Sequence, residues 1–188
     1  MDNIVVEWKA EDGIIDPDTF ASQKIKILWI LREPNGNNFD YMKYLKNPTV
    51  YNKWKASFGL VVQASYAILQ EECEQKPAPN PSKVVHEIMP KIAIINIKKT
   101  GGKATINADE LLAYSVEHQA EIEAQIVEIS PDLVIFAGTK KYVTSSTIQN
   151  IVEKLSKPVK FISSYHPNQK KITHKAYIEK ILHDSLKQ

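Results

Sequence analysis

Four short runs of apolar, largely β-branched residues punctuate the chain: Lys26–Leu31, Ile92–Ile97, Leu133–Ala137 and Val159–Ser163. None alternates strictly between apolar and polar positions, which predicts strands buried on both faces, as in a parallel sheet covered by helices. Between them the apolar spacing becomes helical. Tyr51–Glu72 carries Trp54, Phe58, Val61, Val62, Ile68 and Leu69 on one face. After Asn107, a long stripe runs through Leu111, Leu112, Ile122, Ile126 and Ile129. Asn107 or Asp109 caps that helix, and Ser130–Pro131 stops it. Thr139–Lys154 and His174–Leu186 predict two further helices, and Lys76–Ser82 reads as a Pro-rich loop. The element order predicts a three-layer α/β/α domain over residues 1–188, with a central, mainly parallel, four-stranded sheet and right-handed crossovers.

Composition narrows the class. The chain has 188 residues, 43% hydrophobic and 24% charged, which suits one ordered domain with a substantial core. A net charge of +2 excludes a polybasic binder and leaves room for a local basic patch. Cys73 is the single cysteine, so neither an internal disulfide nor a four-cysteine metal site can form. It sits in an expected helix without an adjacent histidine and reads as an inert thiol. The amino terminus has no basic segment leading into an apolar run, and no stretch reaches membrane-spanning length. The expectation is a cytoplasmic, monomeric protein with no membrane partner.

The chemistry-bearing residues gather at strand ends. Ligands of open α/β sheets bind beyond the carboxyl ends of the strands. The first strand runs into Arg32, Glu33, Pro34, Asn35 and Gly36. The second ends at Asn96 and continues into Lys98, Lys99, Thr100, Gly101 and Gly102. The third ends at Gly138 and Thr139, the fourth at Tyr165, His166, Pro167 and Asn168. If the strands are parallel, these loops converge, and a carboxylate, an amide, lysines and an imidazole share one cleft.

Each of these residues also has an ordinary reading. Glu33 before a proline caps or salt-bridges a strand end, Asn96 forms a turn, and His166 is a satisfied loop histidine. The KKTGG segment binds phosphate through lysines and flexible backbone, yet it is not a Walker motif. Trp54 and Phe58 have the spacing of a helix face packed on the core rather than a stacking platform. His86, His118, His174 and His183 lack metal-ligand spacing, so no metal site is expected. No G-x-S-x-G elbow and no G-x-G-x-x-G turn occurs, which argues against an α/β-hydrolase and a dinucleotide-binding site.

The order of these segments resembles the uracil-DNA glycosylase superfamily. ILWILREPNGNN resembles its first motif, in which an apolar strand leads into a loop with an acid, a proline and a glycine. IINIKKTGGKATINADELLAY followed by ISPDLVIFAGT resembles the middle of the iron–sulfur-type members. FISSYHPNQ resembles the closing His-Pro-Ser motif. The resemblance spans roughly Ile25 to Lys170 and implies roles by position. Glu33 matches the acid that orients or activates water, Asn96 the amide that reads the base edge, and His166 the donor to the base carbonyl. Phe39, with Tyr41 behind it, matches the aromatic that stacks on the base. The cluster-binding cysteines are missing, so the resemblance brings no cofactor. Arg32 stands where the family has glycine before the acid, and Asn168 where it has serine after His-Pro.

Those residue types suit cleavage of an N-glycosidic bond. The departing sugar is cationic and the departing base anionic. A carboxylate stabilises the first and positions water, and a donor on the base oxygen stabilises the second. The expected activity is that of a uracil-DNA glycosylase-like hydrolase in DNA repair, with single-stranded or uracil-containing DNA as partner. Lys98, Lys99, Lys170 and Lys171 flank the expected cleft and would hold phosphates. The alternative is a binding module of the same fold for a nucleobase, nucleotide or single strand. A third reading is an unrelated, metal-dependent nucleotide enzyme.

Overall fold

The computed structural model describes residues 12–34, 48–70, 79–101 and 107–187, with side chains of the first long helix described from residue 58. Phe39, Tyr41, Trp54 and Cys73 therefore lie outside what is described.

Among the described residues the chain is α/β. A five-stranded mixed sheet is formed by β1 (Gly13–Ile14), β2 (Ile27–Leu31), β3 (Ile92–Asn96), β4 (Leu133–Ala137) and β5 (Lys160–Ser164), in the spatial order β1-β3-β2-β4-β5. The four expected strands are present and mutually parallel. The correction is β1, a two-residue strand antiparallel to β3 at the sheet edge. At two residues it is too short to show any periodicity.

Among the described residues seven α-helices flank the sheet: α1 (Pro17–Ala21), α2 (Pro48–Leu69), α3 (Pro81–Ile88), α4 (Ala108–Glu117), α5 (Gln119–Ile129), α6 (Ser145–Lys154) and α7 (His174–Leu186). The long helix expected after Asn107 is two helices, broken at His118 (φ −102°, ψ 20°). The apolar stripe continues across the break, which is why the sequence reads as one element. Asn107 caps α4 by accepting from the N–H groups of Asp109 and Glu110. The Pro-rich loop ends sooner than expected, because Asn80 caps α3 and Pro81 opens it. Ser130, left-handed at φ 48°, closes α5 ahead of Pro131.

The central strands β2, β3 and β4 are buried on both faces, as their unbroken apolar composition requires. Ile27, Trp29 and Leu31 face one core, with α2, α3 and α7; Leu28 and Ile30 face the other, with α1, α4, α5 and α6. The sheet is thus the middle of three layers. Trp29 donates its indole N–H to Ser65 Oγ at 2.9 Å, joining β2 to α2 inside the core.

This connectivity places the crevice. From β2 the chain leaves to the face of α2, whereas β3 and β4, on either side of it, lead to α4 and α6 on the opposite face. The loops diverge around the carboxyl end of β2, where open α/β sheets hold ligands.

Candidate functional site

Three cross-strand ties shape the rim at that point. The ladder outlasts β2 and β3, because Ile97 N–H donates to Leu31 O (3.0 Å) and Lys98 N–H to Arg32 O (2.9 Å). Thr139, fully buried, donates Oγ1–H to Ile30 O at 2.8 Å and binds the end of β4 to β2. Gly138 N–H donates to Ser164 O at 2.8 Å and binds β4 to β5. Four strand ends far apart in sequence thereby share one edge.

Gly138 is the pivot. Its φ is +72°, a conformation glycine adopts without strain. A Cβ at this position would lie 3.1 Å from Arg32 Nη2, 3.1 Å from His166 N and 3.3 Å from His166 Cβ. The missing side chain is therefore what lets Arg32 and His166 meet across the end of β4.

His166 sits in a turn closed by Gln169 N–H donating to His166 O at 2.9 Å. The N–H of Asn168 donates to His166 Nδ1 at 3.2 Å, so the proton of the neutral ring is on Nε2. Burial, helped by the nearby Arg32 cation, lowers the pKa of His166 to about 4. At neutral pH it is an uncharged ring with one N–H to give. Tyr177 of α7 supports this loop from below, donating its OH to Tyr165 O at 2.9 Å and lying 3.1 Å from Ser164 Oγ. Burial pushes its pKa up to about 12, which keeps the hydroxyl protonated as a donor.

Glu33 stands on the β2 side of the rim with its side chain only 8% exposed. Burial raises its pKa, and Lys98, 3.5 Å away, offsets part of that. Lys98 also pairs with Glu110 in the first turn of α4. The carboxylate is thus more basic than usual and tethered by a shared cation.

The other expected site residues separate from this group. Asn96 is fully buried, its N–H donating to Asp12 Oδ2 at 2.7 Å and its side-chain amide to the same oxygen at 3.3 Å. Lys99 turns inward to Asp12 Oδ1 (2.8 Å), Asp12 Oδ2 (3.0 Å) and Gln125 Oε1 (2.6 Å). Both belong to a buried cluster beside β1. Lys170 is exposed beyond the His166 turn, and Lys171 holds its ammonium 5.6 Å from the centre of the Tyr165 ring.

Arg32, Gly138 and His166 thus meet at the end of β4, with Tyr165 at their edge, while Glu33 stands with Lys98 at the end of β2. No protein-family model matches the chain, and no curated protein matches it. The site is therefore read from its own geometry. The sequence placed Tyr165 at a strand end without a role and gave no sign of Asp12. Tyr165, 41% exposed, offers an open aromatic face next to His166. Asp12, by contrast, organises Asn96 and Lys99 from a segment without periodic signal. A strand-end glycine followed by a fully buried threonine is the signal that marks Gly138. Among the described residues, no three His, Cys, Asp or Glu side chains cluster as metal ligands, and no helix is long and apolar enough to cross a membrane.

Proposed function

We propose that the chain is a uracil-DNA glycosylase-like hydrolase, cleaving the N-glycosidic bond of a deaminated or damaged, uracil-type base in DNA. The observation that carries this reading is the state of His166: neutral, Nδ1 accepting, Nε2–H free to donate, on the same sheet edge as a carboxylate of raised basicity. In the reaction the sugar–base bond breaks and its electron pair leaves with the base. His166 donates to the base oxygen on which that charge collects. Glu33 faces the cationic sugar, accepts a proton from water, and the hydroxide joins the sugar carbon. A positioned donor to a developing oxyanion contributes about 3–4 kcal/mol to such a barrier. A neutral imidazole serves this role without an ionic interaction in the ground state. Flipping the base out costs a few kcal/mol, which stacking on an aromatic face such as Tyr165 offsets.

Uracil-containing single- and double-stranded oligonucleotides, incubated with the protein and then treated with alkali, test the reading. Cleavage at the uracil position is expected, and Glu33→Ala and His166→Ala lose it while remaining folded. Intact strands across a panel of modified bases defeat it.

One pair of observations favours a second reading, a nucleobase or nucleotide binding module without turnover. The Asn96 amide is engaged with Asp12, and Arg32 fills the space beside His166. Binding that weakens with salt and leaves the ligand unchanged distinguishes this case.

A further inference from the structure

The cations that follow β2 and β3 differ in one respect. Lys98 is paired with Glu33 and Glu110, and Lys99 with Asp12. Arg32 forms no ion pair among the described residues, and its Nε–H is buried without an acceptor. Its Nη2 is packed against Gly138 beside the backbone and Cβ of His166. A half-buried guanidinium with an unused donor is unfavourable by the desolvation of that donor alone. The fold nevertheless packs it against Gly138 and His166 rather than in an ion pair among the described residues.

The charge it lacks must be a lasting one. An anion that develops only as a bond breaks is absent while substrate binds, so it cannot offset the cost of a permanent cation in the resting protein. A group ionised throughout can. Guanidinium edges match the oxygens of phosphate two at a time, which an ammonium does not. We propose that Arg32 anchors a phosphate of the ligand, set beside His166, so that the crevice takes a nucleotide in preference to a free base or nucleoside. The nucleoside half of this assignment rests on the proposed function; the phosphate half rests on Arg32 alone.

Calorimetric titration of the full chain with deoxyuridine, deoxyuridine 5′-monophosphate, inorganic phosphate and a uracil-containing oligonucleotide tests it. The monophosphate is expected to bind about tenfold or more tighter than the nucleoside, the gain of one charge-assisted contact. Arg32→Gln abolishes that advantage, and Arg32→Lys restores part of it. If the oligonucleotide loses affinity in Arg32→Gln by the same factor, the anion held is a strand phosphate. If only the monophosphate does, it is that of a free nucleotide. Equal affinity for nucleoside and monophosphate, or an advantage that survives in Arg32→Gln, overturns the proposal. Should Arg32→Gln fail to fold, the wild-type protein suffices: phosphate beside Arg32 moves the His166 titration midpoint upward by NMR, and an unmoved midpoint under saturating phosphate counts against the site. Base release is scored separately. An Arg32-dependent phosphate preference without base release keeps the anchor and removes the hydrolase; base release without an Arg32-dependent phosphate preference does the reverse.

Discussion

The two ends of β3's neighbourhood use the same kinds of side chain in opposite ways. Beside β1, an aspartate, an asparagine, a lysine and a glutamine are clustered largely out of solvent, and Asp12 accepts from Asn96 N–H, the Asn96 amide, Lys99 and Gln125. Its side chain is 1% exposed. At the ends of β2 and β4, by contrast, Arg32 lies beside His166 with no acceptor for its Nε–H among the described residues, and Glu33 is tethered through a lysine shared with Glu110. The first group is a latch holding a short edge strand, the second a set of side chains held apart. Polar residues in a fold are informative through what they leave unused, since a buried network is stable only when its members are satisfied.

Breaking the latch is expected to have the largest effect on stability. Asp12→Ala leaves Lys99 buried without its counter-ion, which costs about 3–5 kcal/mol. Urea unfolding should show a lower midpoint at an unchanged slope. A loss below about 1 kcal/mol would mean that the cluster is hydrated and the contrast with the rim is false.

The rim instead responds to pH. The pKa of His166 falls from 6.5 to about 4 on folding, so the folded state favours the neutral ring. Its stabilisation is complete above pH 6.5 and is lost as pH falls toward 4, a difference of up to about 3 kcal/mol. His166→Gln should flatten that part of the stability–pH curve. Glu33 has the opposite sense: its raised pKa adds stability at low pH that disappears as pH rises through the folded value. Glu33→Gln should therefore leave neutral-pH stability equal or higher while base release is lost. A marked loss of stability would make Glu33 part of the framework.

Gly138→Ala sharpens the geometry at moderate cost. The left-handed backbone and the 3.1 Å approaches predict destabilisation of about 1–3 kcal/mol, with displaced His166 ring resonances. Unmoved resonances would separate Gly138 from the rim. The smallest effect belongs to Tyr165→Ala. An aromatic 41% exposed should change stability by no more than about 0.5 kcal/mol while weakening binding of a base.

The sequence by itself determined the parallel core. Leu133–Ala137 and His174–Leu186 have the expected bounds, and the other three parallel strands agree within one residue at each end; β2, β3 and β4 are apolar throughout because they are buried on both faces, whereas the edge strand β5, expected to be buried likewise, is largely half-buried or exposed. It also located the loops that bear Glu33 and His166. Tertiary structure alone decided which polar groups are spent. Asn96 and Lys99 read as site residues by strand-end position, yet Asp12, more than eighty residues earlier, satisfies both. Arg32 reads as a departure from a motif, yet a glycine over a hundred residues away makes room for it beside His166. Hydrophobic periodicity is local and survives in one dimension. Hydrogen-bond satisfaction depends on partners brought together by the sheet, and no local pattern records it.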